Sequence, residues 1–188
     1  MRTSLARLLL IVSLALASFG APSVALAEHQ IGTPFTGTRP WQLDFHGDFL
    51  WYGWGIGGGA RLGIPIMHNG FVDSIDNAIY LNFGIDTYYV DDFGYGGAGI
   101  HHYGFGLGIP VTLHWEFYFN DTWSAFGEVG FQVYLGPTIF DNNPNGWYAD
   151  PGAWVIAMVG GTLHFNEVIG LTLRVGNPYV ALGITLYI

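Results

Sequence analysis

His102–Gly136 reads HYGFGLGIPVTLHWEFYFNDTWSAFGEVGFQVYLG, and two alternating files run through each half of it. In the second half Trp123, Ala125, Gly127, Val129, Phe131, Val133 and Leu135 make an apolar file, while Ser124, Phe126, Glu128, Gly130, Gln132, Tyr134 and Gly136 make a mixed polar one. The first half repeats the pattern. Tyr103, Phe105, Leu107, Ile109, Val111, Leu113, Trp115, Phe117 and Phe119 share one side, and His114 and Glu116 stand on the other. A side-chain period of two belongs to a strand. Only Asn120, Asp121 and Thr122 separate the halves, so the stretch is a long hairpin with one face too apolar for water.

The same alternation recurs on both sides of the hairpin. Before it lie Trp41–Tyr52, a glycine-rich strand at about 56–66 carrying Arg61 on its polar face, and a strand at about 78–89. After it come strands at about 153–165, 168–175 and 179–188. Eight antiparallel strands close into a barrel with both chain ends on one side.

The N-terminus has another character. Arg2 and Arg7 precede the apolar run Leu8–Ala17, and Ala25-Leu26-Ala27 supplies small residues for a signal peptidase. Residues 1–27 are therefore expected to be a secretory signal cleaved before Glu28. The apolar run falls short of the roughly 20 residues a spanning helix needs. Residues 28–40, with Pro34 and Pro40, are expected to form a short unpaired periplasmic lead-in, and 41–188 the barrel.

Cysteine and lysine are both absent, which removes disulfide and thiol chemistry. After residue 27 three arginines face fourteen carboxylates, a formal charge of −11. Nucleic-acid binding, which needs basic stripes, is excluded on that balance. Half of the residues are hydrophobic and a tenth charged, yet nothing after residue 27 is a continuous apolar run long enough for a membrane helix. Alternation without long runs is what a membrane barrel leaves in a sequence. The expected fold is therefore all-β, an eight-stranded antiparallel transmembrane β-barrel in an up-and-down meander.

A soluble ligand-binding barrel would turn its apolar file inward, and volume opposes that. Trp41, Phe45, Phe49, Trp51, Phe83, Phe105, Trp115, Phe117, Phe119, Trp123 and Phe131 exceed what an eight-stranded interior holds. A one-residue slip would turn Asp44, Glu116 and Glu128 toward lipid at a cost of up to a few kcal/mol each, so the facing is strongly specified. With the N-terminus on the periplasmic side, the turns at 120–122 and 166–167 fall inside and Asp91–Ile100 and Pro137–Pro151 outside, the outer-membrane pattern. Met67–Asn77 is long for an inner turn, and Gly176-Asn177-Pro178 short for an outer loop. Trp41, Trp115, Phe117, Phe119, Trp123, Phe165 and Tyr187 collect near one set of strand ends, and Trp51, Tyr89, Tyr103 and Tyr179 near the other. Their outward-facing members suit interfacial girdles.

With signal, alternating strands and a final strand ending Leu186-Tyr187-Ile188, residues 41–188 resemble the small eight-stranded outer-membrane barrels of Gram-negative bacteria, the outer-membrane protein A, X and W types. Those families end mostly on Phe, part of the signal read by the barrel-assembly machinery; this chain ends on Ile188. The resemblance implies contact with outer-membrane lipid, with the assembly machinery during insertion, and with proteins of an envelope-spanning complex.

The inward file brings Asp44, His46, Asp48, Arg61, Asn82, Asp86, His114, Glu116, Glu128, Gln132, His164 and Arg174 to the lumen. Histidines among carboxylates are ligand types that zinc accepts. The competing reading is a plug in which carboxylates pair with arginine or protonated histidine, because buried charges must be paired. The plug is adopted here, with no metal or cofactor, and its surplus negative charge must be met by protons or water. Ser74 and Ser124, the only serines after residue 27, have no neighbouring histidine in sequence, so no enzyme is expected. Asp91-Asp92 with His101-His102 offers a weak cation site on an outer loop, and Phe140, Trp147 and Tyr148 are loop aromatics suited to an external partner or to the headgroup layer.

Overall fold

The computed structural model describes residues 35–50, 55–91, 103–135 and 152–188. Eight strands form one closed antiparallel barrel in meander order: β1 Gln42–Leu50, β2 Gly55–Met67, β3 Asn77–Asp91, β4 Tyr103–Tyr118, β5 Trp123–Leu135, β6 Gly152–His164, β7 Ile169–Asn177 and β8 Tyr179–Tyr187. The opening hairpin is β4–β5, with Leu113 opposite Val129 and His114 opposite Glu128. Closure comes from β1 against β8, which leaves no free edge, and is extended by mutual backbone bonds between Trp41 and Ile188 at 2.8 and 2.9 Å. No helix is present among the described residues.

Two short turns use one device. Asn120 Oδ1 accepts from the amides of Thr122 and Trp123 at 2.8 and 2.9 Å, and Asn166 Oδ1 from those of Val168 and Ile169 at the same distances. The side chain thus stands in for a backbone turn acceptor. Strand ends shift slightly from expectation: β3 runs to Asp91, and β7 continues through Asn177, leaving Pro178 alone before β8. The register of β2 against β3 slips between Pro65 and Met67, where proline lacks an amide to donate.

The expected facing holds. Phe45, Phe105, Phe131, Val155 and Ile184 point outward and are exposed, while Asp44, Glu116, Glu128 and Arg174 point inward and are buried. Phe105 is 78% exposed and Glu116 1%, an inversion of the usual apolar-inside, charged-outside distribution. Trp41, Phe119, Trp123 and Phe165 stand exposed near the end where β1 begins and β8 finishes.

The described part of the lead-in joins no strand but docks onto the β2–β3 connection. Residues 35–40 turn back into the barrel mouth, where Phe35 and Arg39 are buried. Phe35 and Asn69 bond reciprocally, each at 3.1 Å, and Arg39 Nε donates to the His68 carbonyl at 3.1 Å. The length of the β2–β3 connection follows from this docking: residues 68–76 supply the partners.

Residues 1–34, 51–54, 92–102 and 136–151 lie outside the described residues, and with them the signal, Trp51, Asp92, His101, His102, Phe140, Trp147 and Tyr148. Asp91 is described only as the last residue of β3.

Candidate functional site: a charged ring in a filled lumen

Every inward residue named from the sequence reaches the lumen; all are buried except His164, which is half-buried. At the centre, Glu128 on β5 accepts from Arg61 Nη1 at 2.6 Å, Thr112 Oγ1 at 2.5 Å and Arg174 Nε at 3.3 Å. Arg61 also reaches Asp86 Oδ2 at 3.1 Å and the Tyr179 hydroxyl, which itself donates to Asp86 at 2.9 Å. Arg174 Nη1 reaches Asp44 Oδ1 at 3.0 Å. His46 stands between two of these carboxylates, Nδ1 at 2.7 Å from Asp44 and Nε2 at 3.3 Å from Asp86. The contacts close on themselves through Glu128, Arg61, Asp86, His46, Asp44 and Arg174. This ring holds three carboxylates and two guanidiniums, and a proton on His46 makes it neutral.

Glycine makes room for it. A methyl group at Gly59 would collide with Asp86 Oδ1, and one at Gly57 with Asp48 Oδ1. Two of the β2 glycines thus make room for carboxylates pressed against its inner face.

Towards the terminal end, Glu116 takes bonds from Ser124 Oγ at 2.6 Å, Gln42 Nε2 at 2.7 Å and the Tyr118 hydroxyl at 3.0 Å. His114 bridges this cluster to the ring, 3.6 Å from Glu116 and 3.7 Å from Glu128. A row of hydroxyls, Thr162, Thr172 and Thr185, runs at 3.2 and 2.7 Å to Asp44, which Thr185 meets at 3.0 Å. The mouth is sealed by Arg39, paired with buried Asp76, its guanidinium 3.9 Å from the Phe35 ring centre and 4.3 Å from that of Tyr118. Towards the other end the filling turns apolar, with Leu50, Tyr88, Ile156, Met158 and Ala181 around Tyr179, and Trp154 packed against them.

Sequence spacing hid one approach: Ser124 Oγ lies 2.9 Å from His164 Nε2, across forty residues of chain. The pair has the composition of a nucleophile and base, but its hydrogen bonding is that of a plug. A hydroxyl has one proton, and Glu116 at 2.6 Å takes it, so His164 donates to the serine oxygen rather than accepting from it. Ser124→Ala is accordingly expected to lower stability by about 1–3 kcal/mol, the cost of stranding buried partners, and to leave the lipid A mass spectrum of a producing strain unchanged. A changed acylation pattern in that spectrum would instead make Ser124 a nucleophile. Among the described residues, no group of three His, Asp or Glu side chains is placed to hold a metal ion.

The residues that spacing did not mark are Arg39, Phe35 and Asp76 at the mouth and the inward tyrosines Tyr80, Tyr118, Tyr179 and Tyr187. The tyrosines sit on the inward parity of their strands, so that signal was present. Arg39 precedes the first strand and carried none.

The class defined by these features is a closed eight-stranded meander barrel with an apolar exterior and a charged, filled interior. No protein-family model matches the chain, and no curated protein matches it.

Proposed function

We propose that the chain is a non-enzymatic integral barrel of the outer membrane of a Gram-negative bacterium, with both termini periplasmic. Its role is a structural element or the outer-membrane component of an envelope-spanning complex. One observation carries this reading: large apolar side chains cover the outside while charge is held inside. Even the shortest strands have nine residues, the length a tilted membrane strand needs, about 9–11 residues. Contacts with outer-membrane lipid, and with the barrel-assembly machinery during insertion, go with it.

Fractionation of producing cells tests the location. The chain is expected in the outer membrane, extractable only by detergent; recovery from a soluble fraction would sink the reading. The scaffold is favoured over a narrow channel or carrier for small hydrophobic or cationic solutes, because the mouth, the ring and the apolar layer are each built from buried, mutually contacting side chains that project into the lumen. In planar bilayers the wild type is expected to be silent, and so is Arg39→Ala, since opening the mouth leaves the ring in place. Reproducible conductance from the wild type would promote the channel. Lipid modification is the third reading, tested by the lipid A spectrum above.

A further inference from the structure

On the outer wall, a gap lies across β4 to β7. Across β4 to β7 the register sets Trp115, Gly127, Val159 and Val175 in one transverse row, and the row has no side chain at Gly127. Ala157 deepens the gap on β6. The result is a groove of about 640 Å³ walled by Phe71, Trp115, Phe117, Val129, Val159 and Val175.

Packing does not require this glycine. A Cβ built on Gly127 meets nothing within 4 Å, whereas those built on inward Gly57, Gly59 and Gly108 collide with neighbouring side chains. Glycine inside a strand costs backbone entropy and forgoes a packing side chain. Here that cost leaves the wall open without relieving any contact.

The lining decides what fits. Glu128 and Met158 turn inward and give the groove only main chain. The wall's one polar group, Trp115 Nε1, already donates to Asn77 Oδ1 at 2.8 Å, and the Phe71 ring rests edge-on against the same tryptophan with centres 5.8 Å apart. With no free donor or acceptor, the groove suits neither a headgroup nor an extended peptide, whose amides would go unpaired in lipid. The backbones of β4 and β6 are two strand spacings apart, about 9.6 Å, and side chains narrow that span. A helix, about 10–12 Å across, does not enter; a single hydrocarbon chain does.

We propose that this groove seats one acyl chain of a membrane lipid, held by close packing rather than by any polar contact. The proposal rests on the outer-membrane reading and adds a defined lipid position to it.

Native mass spectrometry of the full chain, extracted from membranes and exchanged into mild detergent, tests it. The wild type is expected to carry a single phospholipid adduct, lost in Gly127→Leu and in Ala157→Leu, which fill the groove from adjacent strands. Val155→Leu, at an outward position outside the groove, keeps the adduct. If Gly127→Leu fails to fold, Ala157→Leu gives the same reading. Equal adducts in all forms, or none in any, overturn the proposal while the barrel remains inserted. A wild-type dimer that both filling variants abolish assigns the groove to a second copy and overturns it as well. A chain soluble without detergent removes the outer-membrane reading and the groove's occupant together.

Discussion

Glu128→Ala is expected to cost the barrel about 3–5 kcal/mol, the range for removing one partner of a buried ion pair. Both lumenal arginines converge on this carboxylate, at 2.6 and 3.3 Å, and His114 stands 3.7 Å away. Deleting it leaves Arg61 to Asp86 and Arg174 to Asp44, with unmet charge in a space whose side chains are almost wholly shielded from solvent. The measurement is the midpoint of urea unfolding in lipid vesicles, followed by tryptophan fluorescence and by the gel-mobility difference between heated and unheated samples. Thr112→Val removes only one neutral donor to the same oxygen and is expected to cost about 0.5–1.5 kcal/mol. Equal effects from the two substitutions would mean that water reaches the ring and compensates for the lost carboxylate.

Phe131→Arg addresses the other face. Phe131 is near the middle of β5, points outward and is half exposed, opposite Val111 on β4 and Val155 on β6. In a bilayer, arginine there is expected to destabilise by about 2–4 kcal/mol, the value for a cation at mid-depth on a barrel's lipid side. In water the same change would be close to neutral, within about 0.5 kcal/mol for a surface position. The size of the effect therefore discriminates between a membrane and an aqueous environment. Phe131→Leu keeps the surface apolar and serves as reference. A loss under 1 kcal/mol relative to that reference would count against membrane insertion.

Strand positions and facing were readable because they depend on parity alone: once Glu128 is assigned inward, Phe131 must be outward. What parity cannot supply is the partner across the lumen. Arg61 meets Glu128 at a separation of 67 residues and Asp44 meets Arg174 at 130, contacts fixed by the stagger with which the sheet closes. Ser124 and His164 show the same limit, because Ser124 faces Thr162 in the β5–β6 register and meets His164 diagonally. Arg39 was missed for a different reason. It lies in a stretch without periodicity, and its burial follows from the fit of its guanidinium between two aromatic rings beside Asp76, which nothing local encodes.

The ring draws its six members from β1, β2, β3, β5 and β7, and the Thr185–Asp44 bond brings in β8 across 141 residues. A sheet that has formed its hairpins but not closed gains few of these contacts and still holds their charges on an apolar scaffold. Partly assembled forms are thus penalised relative to both the unfolded chain and the finished barrel. Assembly is then expected to be all-or-none, with the ring's contacts forming late, because most of them join strands that are not neighbours in the sheet and therefore wait for its closure. The buried charges thereby specify which strand pairing is accepted as complete.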